Sequence, residues 1–183
     1  ADHGTEWKTA VHLAYYSAMR LGDATGLTWD AIDFEEKTIC FVPQKTRRKS
    51  PKPITLPMHS AVYDHFSGLT LPKDHQAKIT PELSRLGTNW SSRIFTGKIL
   101  PLAGIDPKRT DPGDKSEKGR KVSQLSFHSF RHSLASHLAA IGVPPEIRMK
   151  ITGHSDSKVH GNYSHLNVET LRENLSKLPA VKS

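Results

Sequence analysis

The sequence predicts a mainly helical α+β fold, a helical bundle with a small three-stranded antiparallel sheet. Apolar residues recur at spacings of three and four over most of the chain, which is the pattern of amphipathic helices. Short runs rich in β-branched and aromatic residues fall between residues 31 and 57, each bounded by turn residues. The length of 183 residues suits a single domain with a core of its own.

The first half of the chain contains the sheet. Trp7, Val11 and Ala14 are spaced like one face of a first helix, and Arg20 follows that helix. Two strand-like runs are separated by Glu35-Glu-Lys37, which favours an antiparallel hairpin, and a basic turn at 45–50 precedes a third run. The predicted elements are, in order, helices at 6–19 and 22–28, strands at 31–34, 38–42 and 53–57, and a helix at 59–68.

The second half is predicted to be helical apart from two loops. Asn89 is placed to cap a long helix that Gly104 ends, and residues 105–124 are so rich in charged residues, Gly, Pro and Ser that we expect a mobile loop. A later helix starts at Ser126 or Ser129 and turns Phe130, Leu134, Leu138 and Ile141 to the core. The predicted helices are 81–86, 89–103, 126 or 129 to 141, 145–151, 156–162 and 168–178.

Composition limits the classes of protein to consider. Lys and Arg number 26 against 18 acidic residues, and the net charge of +8 favours a polyanionic partner. Charge alone does not separate a nucleic-acid-binding protein from an ordinary basic one. No apolar run reaches 18 residues and no signal peptide is present, so a cytoplasmic protein without membrane contact is expected. The single cysteine, Cys40, excludes an intrachain disulfide, and its strand position predicts a buried thiol.

Histidine and arginine cluster near the C-terminus. His128 and Arg131 lie three residues apart and therefore share a helix face. A guanidinium matches two phosphate oxygens, and an imidazole can donate to the same group or move a proton. The alternative is a solvated basic helix. His128 and His132 have the spacing of two zinc ligands, but Ser129 replaces the glutamate of a zinc-protease helix, and no third ligand is evident, so no metal is predicted.

Three further residues are ambiguous when each is taken alone. Tyr163 has the chemistry of a nucleophile, but a tyrosine in a short amphipathic helix is usually a packing residue. Arg20 can be a helix-terminal cation, and Lys45 can belong to a solubilising edge. The order of these residues along the chain, with His128, Arg131 and His154 between Lys45 and Tyr163, favours a shared catalytic role over separate structural roles.

With these residues in this order, the sequence resembles the catalytic domain of the tyrosine recombinases, the phage integrase family. The family's first arginine segment resembles residues 18–34, from Ala18-Met-Arg to Asp33-Phe34, and its Lys-Thr resembles Lys45-Thr46. Its His-x-x-Arg-His, Gly-His and final tyrosine motifs are matched by His128–His132, Gly153-His154 and Tyr163-Ser-His165. The resemblance runs from about residue 7 to residue 178 and is poorest at 70–124. Thr152 and Val159-His160 depart from the family pattern without removing a catalytic position.

The resemblance implies site-specific DNA recombination or integration by strand cleavage and rejoining, without metal, nucleotide or other cofactor. Tyr163 would form a 3′-phosphotyrosyl link while Lys45 protonates the leaving 5′-oxygen. The other implied catalytic residues are Arg20, His128, Arg131 and His154. Asp23 would support the arginines. The implied DNA-binding residues are Arg47, Arg48, Lys49 and His132.

The resemblance also implies an assembly and leaves alternatives open. We expect residues 1–183 to form the catalytic domain, with the family's N-terminal DNA-clamping domain absent from this chain. The partner would be double-stranded DNA, bound by a tetramer of the full-length protein in a bacterial or phage system, whereas the isolated domain would be a monomer. The alternatives are type IB topoisomerase-like relaxation, a DNA-binding remnant without activity, and a histidine-based metalloenzyme.

Overall fold

The computed structural model describes residues 3–48, 51–107, 109–110, 122–153 and 168–180. These residues form a mainly helical fold with one three-stranded antiparallel sheet, so the predicted fold class is confirmed. The α-helices are α1 (His3–Ser17), α2 (Leu21–Gly26), α3 (Gln44–Arg47), α4 (Ser60–Ser67), α5 (Pro81–Leu86), α6 (Thr88–Ile94), α7 (Leu100–Leu102), α8 (Ser129–Ala140), α9 (Pro145–Thr152) and α10 (Val168–Leu175). The strands are β1 (Ile32–Asp33), β2 (Thr38–Phe41), β3 (Ile54–Pro57), β4 (Arg109–Thr110) and β5 (Val122–Ser123).

Helix α1 is the centre of the fold, because it contributes buried side chains to two core clusters. Leu13 and Tyr16 join the larger cluster with the sheet and helices α4, α8, α9 and α10, whereas Trp7 and Ala14 join a smaller cluster with Phe95. A helix that is apolar on several sides is buried rather than amphipathic. Within the described ranges, no helix has both the length and the apolar character needed to cross a membrane.

The sheet has the strand order β1-β2-β3, and Ile39 of β2 lies opposite Ile32 and Leu56. Helix α10 packs against β3 and buries Leu171 and Leu175 in the larger core cluster. Because successive side chains of a strand point to opposite faces of the sheet, alternate residues of β2 face the helices. This packing ties the C-terminal helix to the first half of the chain.

The long helix predicted at 89–103 is interrupted. Its first part, α6, begins at Thr88, directly after Gly87, which has a φ of 75°. The prediction that Asn89 caps this helix is therefore wrong. A π-helical turn at Phe95–Ile99 separates α6 from α7. Pro101 explains the interruption, because proline has no N–H to donate and its ring crowds the carbonyl four residues earlier.

Two expected burial assignments and one expected cap are wrong. Ile141 is 41% exposed because α8 ends at Ala140, and Cys40 is exposed because it lies on the outer face of β2. Neither Ser126 nor Ser129 caps α8: His128 is the residue before its first turn, and Ser129 Oγ accepts a hydrogen bond from the Ser126 backbone N–H.

The segment predicted to be a mobile loop is partly paired. Strands β4 and β5 lie at its two ends and form a two-stranded antiparallel ribbon, with Arg109 opposite Ser123. Residues 111–121 between them lie outside the described residues, as does the helix predicted at 156–162.

The contact between α1 and α4 is expected to make the stability of the fold depend on pH. His65 Nε2 and Thr9 Oγ1 are hydrogen-bonded at 2.7 Å, and the His65 ring stacks on that of His12. Burial, followed by the charges of His12 and Lys8, lowers the pKa of His65 from 6.5 to about 4. The unfolded chain therefore binds a proton that the folded chain does not as the pH falls from 6.5 towards 4. We expect the free energy of unfolding to fall by about 1–2 kcal/mol across this range, with solvent screening of the half-buried ring taken into account.

Denaturant unfolding at several pH values tests this expectation. His65→Gln should flatten the dependence of stability on pH between 6.5 and 4. The matched control is His75→Gln, because His75 is exposed and its backbone carbonyl, rather than its ring, accepts a hydrogen bond from Asp30 N–H. An unchanged slope in His65→Gln would contradict the buried neutral state of His65.

Candidate active site

Two arginines from distant parts of the chain meet at the junction between α1 and α2. Arg131 of α8 is only 4% exposed, and its Nη1 donates to the carbonyl of Ala18 at 2.7 Å. Ala18 has a φ of 51°, a left-handed conformation that costs a residue with a Cβ about 1 kcal/mol. This turn directs the Ala18 carbonyl at the guanidinium. It also places Arg20 directly before α2, where that helix begins.

Two nitrogens of the Arg131 guanidinium donate no hydrogen bond within the described part of the chain. Its Nε and Nη2 are buried and have no hydrogen-bond partner among the described residues. Burial, and secondly the positive charge of Arg20, lowers the pKa of Arg131 to about 10, while Asp23 opposes this change. The side chain is therefore charged at neutral pH, and part of its donor capacity is unused within the described part of the chain. Such a group is suited to receiving the oxygens of an anion.

Asp23 connects the arginines to the lysine segment. Its side chain is 3% exposed, and Oδ2 lies 3.8 Å from Nη1 of Arg20, which is one-third exposed. The other carboxylate oxygen, Oδ1, accepts the backbone N–H of Gln44 at 2.7 Å. One buried carboxylate therefore partly compensates the positive charge of Arg20 and Arg131 and fixes the start of α3.

Lys45 is the second residue of α3 and is exposed. The segment between β2 and β3 contains this helical turn, whereas the sequence suggested that Lys45 occupies the edge of a hairpin. Arg47 and Arg48 are exposed on the same turn and just after it. The predicted DNA-binding residue Lys49 lies outside the described residues.

His128 and His132 lie at the start of α8 and are both exposed, with their ring centroids 4.9 Å apart. Arg131 is buried, so the predicted shared face of His128 and Arg131 is at the boundary between core and solvent. Within the part of the chain that the structure describes, no group of three or more His, Cys, Asp or Glu side chains is arranged to hold a metal ion.

Gly153 ends α9 beside the arginine. Its φ of 60° is left-handed, and a Cβ added there would lie 3.2 Å from Nη2 of Arg131. Glycine therefore serves both the backbone turn and the close approach to the guanidinium. His154, the next residue, and Tyr163 both lie outside the described residues.

Sequence reasoning identified the charged residues but missed the contacts that place them. The left-handed Ala18 has no signature in sequence, because alanine is common in helices. Gly22 and Gly26 carried a usable signal, because glycines four residues apart leave a groove along one helix face. The amide of Gln44 occupies that groove: its Nε2 donates to the Gly22 carbonyl at 2.7 Å.

Comparison with known proteins gives relatives over nearly the whole chain. A tyrosine recombinase XerC-like protein of Caldanaerobacter subterraneus subsp. tengcongensis is 25% identical over 181 residues, covering 89% of this chain and 46% of the relative. Tyrosine recombinase XerD of Rickettsia bellii is 24% identical, covering 100% of this chain and 59% of the relative. The chain thus spans about half the length of these curated relatives.

Solved structures share the fold. The integrase from mycobacterium phage Brujita superposes with a TM-score of 0.61 at 14% identity, covering 98% of this chain and 53% of that one. The Tn1549 transposon integrase, in complex with transposon right end DNA, gives a TM-score of 0.56 at 19% identity and covers 93% of this chain and 58% of that one. The family model described as the phage integrase family matches residues 1–170. A match over this much of the sequence means that the chain belongs to the phage integrase family.

Proposed function

We propose that this chain is the catalytic part of a tyrosine-type site-specific recombinase, which breaks and rejoins DNA strands without a metal or other cofactor. The arrangement of Arg131 carries this proposal. It is a buried, charged guanidinium whose Nε and Nη2 have no hydrogen-bond partner among the described residues, and its pKa is lowered in part by Arg20. Two positive charges are held close together before any substrate is bound. This is the preorganisation needed to stabilise negative charge in a transition state.

The proposed reaction conserves phosphodiester bonds. The phenol oxygen of Tyr163 attacks the scissile phosphorus, the bond from phosphorus to the 5′-oxygen breaks, and a 3′-phosphotyrosyl link forms. The phenol proton passes to a base, for which His128 is the candidate. Lys45 donates a proton to the leaving 5′-oxygen. Attack by a 5′-hydroxyl of a partner strand then reverses these steps and releases the tyrosine.

The remaining residues bind the phosphate. Arg20 and Arg131 clamp its non-bridging oxygens, and His154 donates a hydrogen bond to one of them. Asp23 orients Arg20 and limits the repulsion between the two guanidinium groups. Because these donors are positively charged and fixed, they supply the stabilisation that a metal ion supplies in other phosphoryl-transfer enzymes.

Double-stranded DNA is the proposed partner. The net charge of +8 and the exposed side chains of Arg47, Arg48 and His132 support a polyanionic ligand. The Tn1549 integrase, which shares the fold, was solved in complex with transposon right end DNA. We further propose that the full-length protein acts as a tetramer on DNA in the cytoplasm of a bacterium.

Covalent trapping tests the proposed nucleophile. DNA that remains attached to the protein after denaturation would be sequenced to map the crossover site, and a nicked duplex carrying that site would then be supplied. We expect the wild type to form a covalent adduct that survives denaturing electrophoresis, with the DNA attached to the peptide containing Tyr163. Tyr163→Phe should form none, because it lacks the attacking oxygen.

Tyr63→Phe is the matched control, because Tyr63 is a half-buried tyrosine of α4 whose ring lies beneath Lys37. It should form the adduct at the wild-type rate. An adduct that persists in Tyr163→Phe would show that another residue attacks, and a wild type without any adduct would refute strand cleavage by this chain.

A further inference from the structure

The segment that carries Lys45 is held by a small set of contacts. Helix α3 is only four residues long, and from Gln44 to Arg48 every residue is exposed. A four-residue helix has little stability of its own. The position of the Lys45 ammonium group therefore depends on what ties the start of α3 to the rest of the fold.

Gln44 makes that tie with both its backbone and its side chain. The backbone N–H donates to Asp23 Oδ1 at 2.7 Å, and the side-chain Nε2 donates to the Gly22 carbonyl at 2.7 Å. Both acceptors belong to α2, the helix that begins directly after Arg20. The first residue of α3 is thus linked to two adjacent residues of the helix that directly follows Arg20.

The fit of the Gln44 amide is close. A Cβ placed at Gly22 would lie 2.8 Å from Gln44 Oε1, and a Cβ placed at Gly26 would lie 2.9 Å from Gln44 Nε2. These distances are shorter than van der Waals contact, so the amide occupies the space that two absent side chains leave on one face of α2. We name this space on α2, beside Gly22 and Gly26, the amide groove.

We propose that Gln44 is a positioning residue for Lys45: its amide, seated in the amide groove, fixes the lysine relative to Arg20 and thereby sets the rate of proton delivery to the 5′-oxygen. The inference rests on the proposed function, in which Lys45 is the proton donor. It predicts a defect in one chemical step rather than in folding or DNA binding.

A substrate with sulfur in place of the bridging 5′-oxygen isolates that step. A thiolate leaves without being protonated, because a thiol is more acidic than an alcohol by several pKa units. On the oxygen substrate, we expect single-turnover cleavage to slow by about 10²–10⁴-fold in Lys45→Ala and by about 10–100-fold in Gln44→Ala. On the sulfur substrate, both variants should cleave at close to the wild-type rate.

Gly26→Ala gives an independent perturbation, because its new methyl group displaces the Gln44 amide while leaving Gln44 itself intact. It should slow cleavage of the oxygen substrate as Gln44→Ala does, and the double variant should be no slower than either single one. Gln76→Ala is the matched control: Gln76 is also an exposed glutamine with one amide hydrogen bond, to Asp30 Oδ2 at 2.7 Å, on a different loop. It should cleave both substrates normally.

The outcomes separate this inference from the proposed function. If Lys45→Ala is rescued by sulfur but Gln44→Ala is equally slow on both substrates, or normal on both, the positioning role is refuted and the proposed function stands. If sulfur does not rescue Lys45→Ala, Lys45 is not the proton donor and the inference falls with that role. A wild type that cleaves neither substrate refutes both.

Discussion

Arg131→Met is expected to abolish strand cleavage while leaving the domain as stable as the wild type or more stable. The guanidinium is buried, charged, and short of partners for Nε and Nη2 among the described residues. Methionine fills a similar length without a charge. Loss of an arginine that stabilises a phosphoryl-transfer transition state reduces rates by about 10³–10⁵-fold. Activity and stability should therefore move in opposite directions.

The expected gain in stability follows from two opposing terms. A pKa lowered to about 10 from the ordinary value of an arginine means that the folded environment disfavours the charged form by roughly 3 kcal/mol. Removing the side chain also leaves the Ala18 carbonyl without its donor, which costs about 1–3 kcal/mol. The free energy of unfolding should thus lie between the wild-type value and about 2 kcal/mol above it.

Denaturant unfolding and covalent-adduct formation measure the two effects. Arg85→Met is the matched control, because Arg85 is an exposed arginine of α5 paired with Glu82. It should leave both stability and cleavage close to the wild-type values, because an exposed ion pair contributes little. If Arg131→Met lowered the free energy of unfolding by more than about 1 kcal/mol, Arg131 would be a structural residue rather than one held ready for substrate.

The junction between α1 and α2 shows where local preference and function conflict. Ala18 adopts a left-handed conformation that its side chain disfavours, and its carbonyl is the partner of a buried arginine. The left-handed backbone of Ala18 and the burial of the Arg131 charge each reduce stability. Violations of local rules are expected at functional sites, where the fold holds groups for a ligand rather than for itself.

Elements with a strong period and clear boundaries could be predicted from sequence. The hairpin of β1 and β2 and the helix α5 were predicted because turn residues delimit them, and α8 was located by its leucines. The break before Pro101 is also readable from sequence, because proline has no N–H to donate within a helix. The exposure of Cys40 and Ile141 could not be predicted, because the register of a short strand and the last turn of a helix depend on what packs against them.

The site was only partly accessible to sequence reasoning. Residue types and order led to the family, and the proximity of Arg20 and Arg131 followed from that resemblance. Which arginine is buried, and what holds Lys45, depends on contacts between residues far apart in sequence. Asp23 illustrates the difficulty: the sequence suggested that it supports the arginines, but its bond to the Gln44 backbone appears only in the folded chain.

Asp23→Asn is expected to lower the free energy of unfolding by about 1–3 kcal/mol and to slow cleavage by about 10–100-fold. Asparagine can still accept the Gln44 N–H through its oxygen, so the shape is kept and the negative charge is lost. Asp23 raises the pKa of Arg131 against burial and the charge of Arg20. In the variant, two closely spaced positive charges remain without their buried counter-charge.

That imbalance should make the variant respond more strongly than the wild type to an anion that mimics phosphate. Unfolding would be measured in sodium chloride and in sodium sulfate at equal ionic strength, and the difference in stability between variant and wild type should shrink in sulfate as the anion occupies the arginine pair. Glu35→Gln, which removes a negative charge at an exposed position, controls for the general effect of sulfate and should show no such change. A deficit of the same size in both salts would mean that Asp23 supports α3 and Arg20 through hydrogen bonding alone, and that Arg20 and Arg131 do not form an anion site.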